Sequence, residues 1–261
     1  MNPGDYLSVA LAGENSVGHP DEHLSMALGR KNWDTRVSEA QQLAGGPGFQ
    51  ALRDRIIELA EPKPGTVTVD LGAGTGLLAL ALAGRVAKVW AVDSSRAMVD
   101  YLQVEAESAG LDNVRVVLAS ATDVPLVACT ADLVVSNYCF HEMRHLDKRR
   151  ALTEAFRLLK PGGRLVIGDM MFGLNPACAR DRQIVSEKLR SIGRRGLPGS
   201  LRLLKNALRL AAGRWEHPAN ATWWRDALKQ CGFEKVSVEI LRHEGGIASA
   251  HRPITPTTRR P

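Results

Sequence analysis

The sequence predicts an α/β fold in which parallel strands form a sheet with helices on both of its faces. Between residues 65 and 170, short runs rich in β-branched residues alternate with stretches of helical periodicity. This order places helices over a parallel sheet. The strand runs are also almost continuously apolar, as expected of strands that are covered on both faces.

The composition fits one large domain, or one domain with an insertion. The chain has 261 residues, of which 44% are hydrophobic, so it can bury a sizeable core. No run of about 20 apolar residues suggests a transmembrane helix. A signal peptide has a basic residue before its apolar stretch, and none precedes the first short apolar stretch of this chain. We therefore expect a cytoplasmic protein.

The cysteines and the net charge point to no particular partner. The four cysteines are scattered and match no disulfide or metal-binding spacing, so we predict reduced thiols and no metal. The net charge of +6 and the isoelectric point near 9.3 allow an acidic partner without requiring one.

Residues 1–64 are predicted to form an N-terminal helical cap. This region ends in the helix FQALRDRIIELAEP, whose apolar residues recur at steps of three and four and so share one face. The segment GGPG starts this helix, and Pro62 stops it.

Residues 65–169 are predicted to supply the strands and helices of the core. The strands are expected in five apolar runs: VTVDLG, KVWAVD, NVRVVLAS, ADLVVSN and GRLVIGD. Helical stretches begin at Gly76, Ser95 and Asp147. The turn KPGG ends the third of these helices, and its glycines permit a left-handed step into the last strand.

A glycine-rich turn, GAGTG at residues 72–76, connects the first strand to the first helix. Glycine permits backbone angles that other residues avoid and lets a ligand approach the main chain. The helix that follows offers unpaired N–H groups and the positive end of its dipole. Because ligands of open α/β sheets bind outside the carboxyl ends of the strands, we expect an oxygen-rich group at this turn. The alternative is a tight turn that binds nothing.

Asp93 closes the second strand, about twenty residues after the turn. A carboxylate in this place accepts hydrogen bonds from both hydroxyls of a ribose. The alternative is that Asp93 caps the next helix, a role that Ser94 or Ser95 can fill instead. Turn and acid together predict a nucleoside cofactor. The third glycine comes one position earlier than in the G-x-G-x-x-G of dinucleotide-binding proteins, which argues against NAD.

Four segments together resemble the class I S-adenosylmethionine (SAM) methyltransferases, in particular their UbiE/COQ5-like (Methyltransf_11) branch. They are D-x-G-x-G-x-G at residues 70–76, ASATDVPL after the third strand, SNYCFHEM after the fourth, and RLLKPGGRLVIGD. The resemblance runs from about Thr66 to Asp169, with weaker similarity near the C-terminus. It implies SAM as cofactor and a Rossmann-like three-layer sandwich with a helical lid. The seven-stranded, mostly parallel sheet of that fold has an antiparallel last strand.

The resemblance also implies which residues hold the cofactor. Five of them shape the methionine and ribose pocket, one binds the ribose, four lie around the adenine, and one closes the methionine end. The methionine and ribose pocket is shaped by Asp70, Gly72, Ala73, Gly74 and Gly76, and the ribose is bound by Asp93. The adenine is surrounded by Ser94, Met98, Ala121 and Thr122, and the methionine end is closed by Asn137.

One position departs from the family pattern. Where the family has an acid that accepts from the adenine amino group, this chain has Ser120. Three alternatives stay open: the serine hydroxyl replaces the acid, Asp123 reaches the adenine, or the main chain alone holds it. Loss of a charge-assisted hydrogen bond weakens binding by about 1–2 kcal/mol.

The polar residues after the fourth strand are the candidates for catalysis. A sulfonium methyl group is already activated, so the protein mainly aligns the acceptor and excludes water. A base helps when the acceptor is a hydroxyl or an acidic carbon. The candidates are His141, Glu142 and His145, with His141 preferred because the family's histidine falls near it; the alternative is that they only cap or solvate the loop. Tyr138 and Asp169 are further polar groups at strand ends.

Residues 170–220 are predicted to form a helical lid. An apolar stripe runs from Leu197 to Ala211 with Arg202, Lys205 and Arg209 beside it, which predicts an amphipathic cationic helix. Either its leucines pack over the substrate pocket, or it contacts a membrane surface or an anionic, lipid-like substrate. Residues 221–253 then complete the core with one helix and the last strands.

The sequence therefore predicts a SAM-dependent enzyme that methylates O, C or N of a small, apolar organic molecule. The alternatives are a membrane-associated lipid methyltransferase, an RNA methyltransferase and a nucleoside-binding module without activity. Nucleic acid is disfavoured, because the turn SNYCF lacks the prolines of N-P-P-Y-like turns and only 5% of residues are aromatic. The identity of the acceptor and the oligomeric state stay open.

Overall fold

A single seven-stranded sheet forms the middle layer of the fold. The computed structural model describes residues 32–173, 177–193, 217–241 and 244–254, nearly all in one unit that begins at Trp33. The strands are β1 (Val67–Leu71), β2 (Lys88–Asp93), β3 (Val114–Leu118), β4 (Ala131–Asn137), β5 (Leu159–Met170), β6 (Glu234–Ile240) and β7 (Gly245–His251). Their spatial order is β3-β2-β1-β4-β5-β7-β6.

Strand β1 lies in the interior of the sheet and is hydrogen-bonded to two parallel neighbours. Val69 is paired with Trp90 of β2 on one side and with Val134 of β4 on the other. Strands β3 and β5 extend the parallel sheet. Only β7 runs against its neighbours β5 and β6. The predicted seven-stranded, mostly parallel sheet with an antiparallel last strand is therefore confirmed.

Helices cover both faces of the sheet. In the described part of the chain the α-helices are α1 (Val37–Ala44), α2 (Pro47–Ala60), α3 (Ala79–Ala83), α4 (Arg96–Ser108), α5 (His145–Leu158), α6 (Ala179–Gly193) and α7 (Ala221–Gln230). Helix α2 packs on β4 and β5, α3 on β2, α4 on β2 and β3, α5 on β4 and β5, and α7 on β6 and β7. The three-layer arrangement follows from this distribution.

Two hydrophobic cores lie on opposite faces of the sheet, and the strands alternate between them. In β4, Leu133 and Val135 face the core built with α2, α3 and α4, whereas Val134 faces the core built with α5 and α7. Because successive side chains of a strand point to opposite faces, a strand buried on both sides must be apolar at almost every position. This explains the continuous apolar runs of the sequence.

Helix α2 has the ends that the sequence predicts. Pro47 stands in its first turn, and the helix ends at Ala60, two residues before Pro62. Glu61 then takes a left-handed conformation with φ of 47°. Leu52 and Ile56 are buried in the core, as their spacing indicates.

Several predicted features fall wholly or partly outside the described residues. The apolar stripe from Leu197 to Ala211 lies outside them, as does the first half of the predicted N-terminal cap. The boundaries of the predicted cap, core, lid and C-terminal region stay predictions. Within the described residues, no helix is both long and apolar enough to span a bilayer.

Candidate functional site

The candidate site lies where the parallel strands end. The loops after β1, β2 and β4 all emerge at the carboxyl edge of the sheet, and the order of connections reverses between β1 and β4. Such a switch point opens a crevice in which open α/β sheets bind their ligands. The sequence places its glycine turn, Asp93 and the residues after β4 at this edge, and the structure brings these three groups together.

The three glycines of the turn all have left-handed backbone conformations, but their surroundings differ. A Cβ on Gly72 (φ +73°) would lie 2.2 Å from the sulfur of Cys139, and a Cβ on Gly76 (φ +91°) would lie 2.3 Å from Cδ1 of Leu102. A Cβ on Gly74 (φ +53°) would meet nothing within 4 Å. Gly72 and Gly76 are therefore required by packing, whereas the face of Gly74 is open to a ligand.

This difference predicts that alanine at Gly76 mainly lowers stability, whereas alanine at Gly74 mainly lowers ligand affinity. Gly76→Ala is expected to destabilise the fold by about 3 kcal/mol, because it combines backbone strain with overpacking against Leu102. Gly74→Ala is expected to cost about 1 kcal/mol of stability from strain alone, while its methyl group obstructs the cofactor. Thermal unfolding and SAM titration calorimetry on both variants would check this. Equal loss of SAM affinity in two equally stable variants would contradict it.

The helix after the turn is shorter than the sequence predicts. The helical stretch is expected from Gly76, but the regular helix α3 spans only Ala79–Ala83. The positive φ angle of Gly76 is incompatible with a right-handed helix, so the chain needs further turn residues before the helix begins. A helix of five residues has a small dipole. The turn itself, rather than a helix end, must therefore supply the contacts to a ligand.

Asp93 organises the turn from the neighbouring strand. The N–H of Gly74 donates to its Oδ2 at 2.8 Å, and the N–H of Ser95 donates to its Oδ1 at 2.9 Å. Burial raises the pKa of Asp93 despite these bonds. Ser95 caps helix α4, since its Oγ accepts from the N–H of Met98. Ser95, and not Asp93, is therefore the residue whose side chain caps α4.

The first described residues pack beside this acid. Trp33–Thr35 form a short 3-10 turn, and Oδ1 of Asp34 accepts from the Ser95 hydroxyl at 2.6 Å and from the Ala97 N–H at 3.1 Å. These bonds lower the pKa of Asp34. The segment therefore lies against the first turn of α4, next to Asp93.

Asp70 is a buried acid that lacks good partners. It is 1% exposed, and neither of its carboxylate oxygens makes a hydrogen bond of normal geometry. Burial and the nearby charge of Asp93 raise its pKa to about 7, although the Ala79 amide offsets part of this shift. A buried acid of this kind is what a cationic ligand would neutralise.

We expect Asp70→Asn to stabilise the cofactor-free protein at alkaline pH. The pKa of Asp70 rises to about 7 in the fold from near 4 in the unfolded chain, so folding favours the protonated form. The wild type therefore loses stability as the pH rises from about 4 to about 7. At pH 8 the variant should be more stable by roughly 2–4 kcal/mol, and near pH 4 by almost nothing. Denaturant unfolding at both pH values measures this, and equal stability at pH 8 would contradict it.

Residues at the predicted adenine side have different degrees of exposure. Ser94 is exposed, whereas Met98 and Ala121 are buried. The Ser120 hydroxyl is hydrogen-bonded to the Thr122 hydroxyl at 2.8 Å. The backbone N–H of Thr122 also donates to the Ser120 hydroxyl, at 3.2 Å. Ser120 therefore shapes a turn of its own, and it presents this pair of hydroxyls where the family has a carboxylate.

Two residues at the end of β4 face the crevice from the middle of the sheet. Asn137 has a buried side-chain oxygen without a hydrogen bond, so it can serve a polar ligand group. Tyr138 is held in a left-handed conformation with φ of 52°, a strain of about 1–3 kcal/mol that is common at functional sites. Its ring lies 4.4 Å from that of Phe49, centroid to centroid, and 5.9 Å from that of His141.

Four carboxylates give the crevice a negative field. Burial raises the pKa of the Cys139 thiol, and the charges of Asp93, Asp169, Asp70 and Glu142 raise it further. These acids come from the ends of β1, β2 and β5 and from the turn after β4. A ligand that carries a positive charge is favoured in such surroundings.

His141 is held between two of these acids. Its Nδ1 lies 2.7 Å from Oδ1 of Asp169, and its Nε2 lies 3.4 Å from Oε1 of Glu142. Burial opposes a charge on the ring, but the two carboxylates outweigh it and raise the pKa of His141 to about 10. The two carboxylates thus favour the protonated ring, and the role of His141 as a base stays a prediction.

His145 lies apart from this cluster. Its ring packs against that of Trp223 at 4.9 Å on an exposed surface of α5 and α7. Burial and the charges of Lys148, His217 and Arg149 lower its pKa. The structure thus brings His141 and Glu142 together with Asp169 and leaves His145 outside.

Sequence reasoning missed two residues of the site. Phe49 is expected only on the apolar face of α2, but it stacks on Tyr138. Lys148, on α5, is completely buried and has no distinguishing signal in its charged segment DKRR. Tyr138 is distant from Phe49 in sequence, and the Lys148 ammonium is bonded to the carbonyl oxygen of the distant His217, so no local pattern could have indicated either residue.

Comparisons with known proteins identify the family of the chain. A family model described as a methyltransferase domain matches residues 68–163. The demethylmenaquinone methyltransferase of Clavibacter sepedonicus is 30% identical over 216 residues, which cover 80% of this chain and 82% of that protein. The ubiquinone/menaquinone biosynthesis C-methyltransferase UbiE of Hydrogenovibrio crunogenus is 30% identical over 203 residues, 75% of this chain and 76% of that protein.

Solved structures share the fold at lower sequence identity. A SAM-dependent methyltransferase from Aquifex aeolicus superposes with a TM-score of 0.59 at 19% identity, over 82% of this chain and 97% of that one. A phosphoethanolamine N-methyltransferase from Haemonchus contortus, in complex with SAM, superposes with a TM-score of 0.59 at 17% identity, over 80% of this chain and 53% of that one.

Proposed function

Because this chain belongs to the UbiE-type class I SAM-dependent methyltransferases, we propose that it methylates a small, apolar organic acceptor bound beside Tyr138 and His141. The acceptor we favour is a hydroxylated aromatic ring of the quinone type. Curated relatives named as demethylmenaquinone and ubiquinone/menaquinone C-methyltransferases support such a ring, and they support carbon as the methylated atom.

The residues of the crevice fit SAM. Its sulfonium and ammonium groups are positive, and the unpartnered carboxylate of Asp70 and the negative field around Cys139 suit them. The open face of Gly74 leaves room for the ligand at the turn. In this proposal Asp93 binds the ribose and the Asn137 side chain holds the methionine end. Ser94, Met98, Ala121 and Thr122 surround the adenine, with the Ser120 hydroxyl in place of an acid.

The observation that carries the acceptor proposal is the pairing of an aromatic surface with a proton-holding cluster. Phe49 and Tyr138 present half-buried rings in tilted contact, which suit a planar apolar acceptor. His141 stands edge-on to Tyr138 and between Asp169 and Glu142. A hydroxylated ring on the aromatic pair would therefore have its hydroxyl within reach of ionisable groups.

Proton transfer in this proposal uses Glu142 rather than His141. When bound, SAM supplies an electrophilic methyl group and leaves as a neutral thioether. The ring carbon would attack more readily once its neighbouring hydroxyl has lost a proton to Glu142, whose side chain is the more accessible acid, at 24% exposed against 1% for Asp169. The methylated carbon would then lose its hydrogen as the ring oxygen regains a proton, so that one proton in all would remain on Glu142. His141 keeps its own proton and holds the two carboxylates in place. Tyr138 and Phe49 exclude water from the reacting ring.

Incubation with radiolabelled SAM and separate acceptors tests the proposal. The panel is a hydroquinone with a short isoprenoid tail, the same ring without the tail, phosphatidylethanolamine vesicles and transfer RNA. We expect label in the hydroquinones and more in the tailed one. Glu142→Gln, purified identically, controls for contaminating enzymes. Label in the vesicles or RNA and in neither hydroquinone would overturn the proposal and favour a lipid or nucleic-acid acceptor.

A further inference from the structure

Lys148 joins three separate parts of the chain near the candidate site. It lies on α5 and is completely buried. Its Nζ donates to the carbonyl oxygen of Met143 at 2.6 Å and to that of His217 at 2.5 Å. Both of these acceptors are neutral main-chain groups, and among the described residues no carboxylate is recorded in an ion pair with the ammonium.

Burying an ammonium group costs free energy, so stabilisation of the fold is a poor explanation for a lysine at this position. An ammonium moved out of water loses hydration that two carbonyls replace only in part. Burial accordingly lowers the pKa of Lys148 to about 8, although the charges of Asp169, Cys139 and Glu142 offset part of this shift. A methionine of similar length would fill the same space without this cost.

The two carbonyls that Lys148 binds flank the catalytic candidates. Met143 directly follows the 3-10 turn Phe140–Glu142, which carries His141 and Glu142. The N–H of His217 donates to the carbonyl oxygen of His141 at 2.7 Å. The turn is thus bonded to residue 217 directly through His141 and indirectly through Lys148. Residues 217–220 lead into α7, so this junction connects the turn to two helices.

We propose that Lys148 is a positioning residue that fixes the turn of His141 and Glu142 so that the His141 ring lies between Asp169 and Glu142. The proposal rests on the proposed catalytic function of Glu142 and His141. With the turn bonded at both ends, the His141 ring has one direction available, and its Nδ1 meets Asp169. Without the ammonium, the carbonyls of Met143 and His217 lose their shared donor and the turn can rotate.

Three variants test this inference: Lys148→Met, Lys148→Arg and, as a matched control, Arg150→Met on the exposed face of the same helix. We expect Lys148→Met to lower kcat about 10- to 100-fold with SAM affinity unchanged. Lys148→Arg, which keeps charged donors, should recover part of the loss. Arg150→Met should behave as wild type.

Amide hydrogen exchange provides a readout that does not depend on the reaction. In Lys148→Met, exchange should accelerate at residues 140–143 and 217–220 while the amides of β1 and β4 keep their protection. Unchanged exchange at those two segments would overturn the positioning role, whatever the activity. Faster exchange at those two segments with unchanged kcat would instead support the contact of Lys148 with the turn and refute the catalytic function of the turn. Uniform acceleration throughout the sheet would show that Lys148 only stabilises the fold.

Discussion

Replacing Asp93 with alanine is expected to abolish measurable SAM binding while the protein stays folded. The substitution removes the acceptor of the Gly74 N–H, which shapes the cofactor turn, and the proposed acceptor of the ribose hydroxyls. Two hydrogen bonds to a charged group contribute about 1.5–3 kcal/mol each. A loss of about 4 kcal/mol weakens binding nearly 1,000-fold. Titration calorimetry with SAM measures this effect.

Two further variants show whether the effect is local to the site. Asp100→Ala removes an exposed acid from α4, the helix that follows Asp93, and should leave SAM affinity unchanged. Asp93→Asn keeps the size of the side chain but loses its charge, so its affinity should fall between wild type and alanine. Thermal unfolding verifies that each variant is folded. A folded Asp93→Ala variant with wild-type affinity would rule out the proposed ribose contact.

Substitution of the proposed base is expected to have the second largest effect. Glu142→Gln keeps the shape of the side chain but cannot accept a proton, so kcat should fall by roughly 100- to 10,000-fold. His141→Gln should lower kcat less, because it removes only the charge that lies between the carboxylates. SAM affinity should fall far less than kcat in both variants, since the ribose and methionine contacts proposed for SAM belong to other residues. Single-turnover methyl transfer to the preferred acceptor measures these rates.

His145→Gln is the matched control, because His145 lies on the exposed surface against Trp223. Its kcat should equal that of the wild type. The pH dependence adds a second criterion. Because the carboxylates raise the pKa of His141 to about 10, the wild-type rate should not show a transition near pH 6.5, where a free histidine titrates. A transition there, absent from His141→Gln, would assign the base to His141 instead.

Much of the fold could be predicted because its signals are local. Each of the five predicted core strands is observed. Four of them lie in the interior of the sheet, where an apolar run is buried on both faces, whereas β3 forms one edge of the sheet. The N-cap of α4 at Ser95 and the end of α2 before Pro62 are likewise indicated by residues at the helix ends themselves. The start of α3 was predicted too early, because the positive φ of Gly76 depends on its packing against Leu102 of another helix.

The alternation of strands and helices, the glycine turn and Asp93 could all be located from the sequence, because the patterns that indicate them extend over only a few residues. Which polar residues after β4 meet depends on the packing of distant parts of the chain. His141 reaches Asp169 across 28 positions of sequence, and Lys148 reaches His217 across 69. Side chains so far apart in the chain are brought together by the order of strands in the sheet and by the path of the loops, which short-range patterns do not encode.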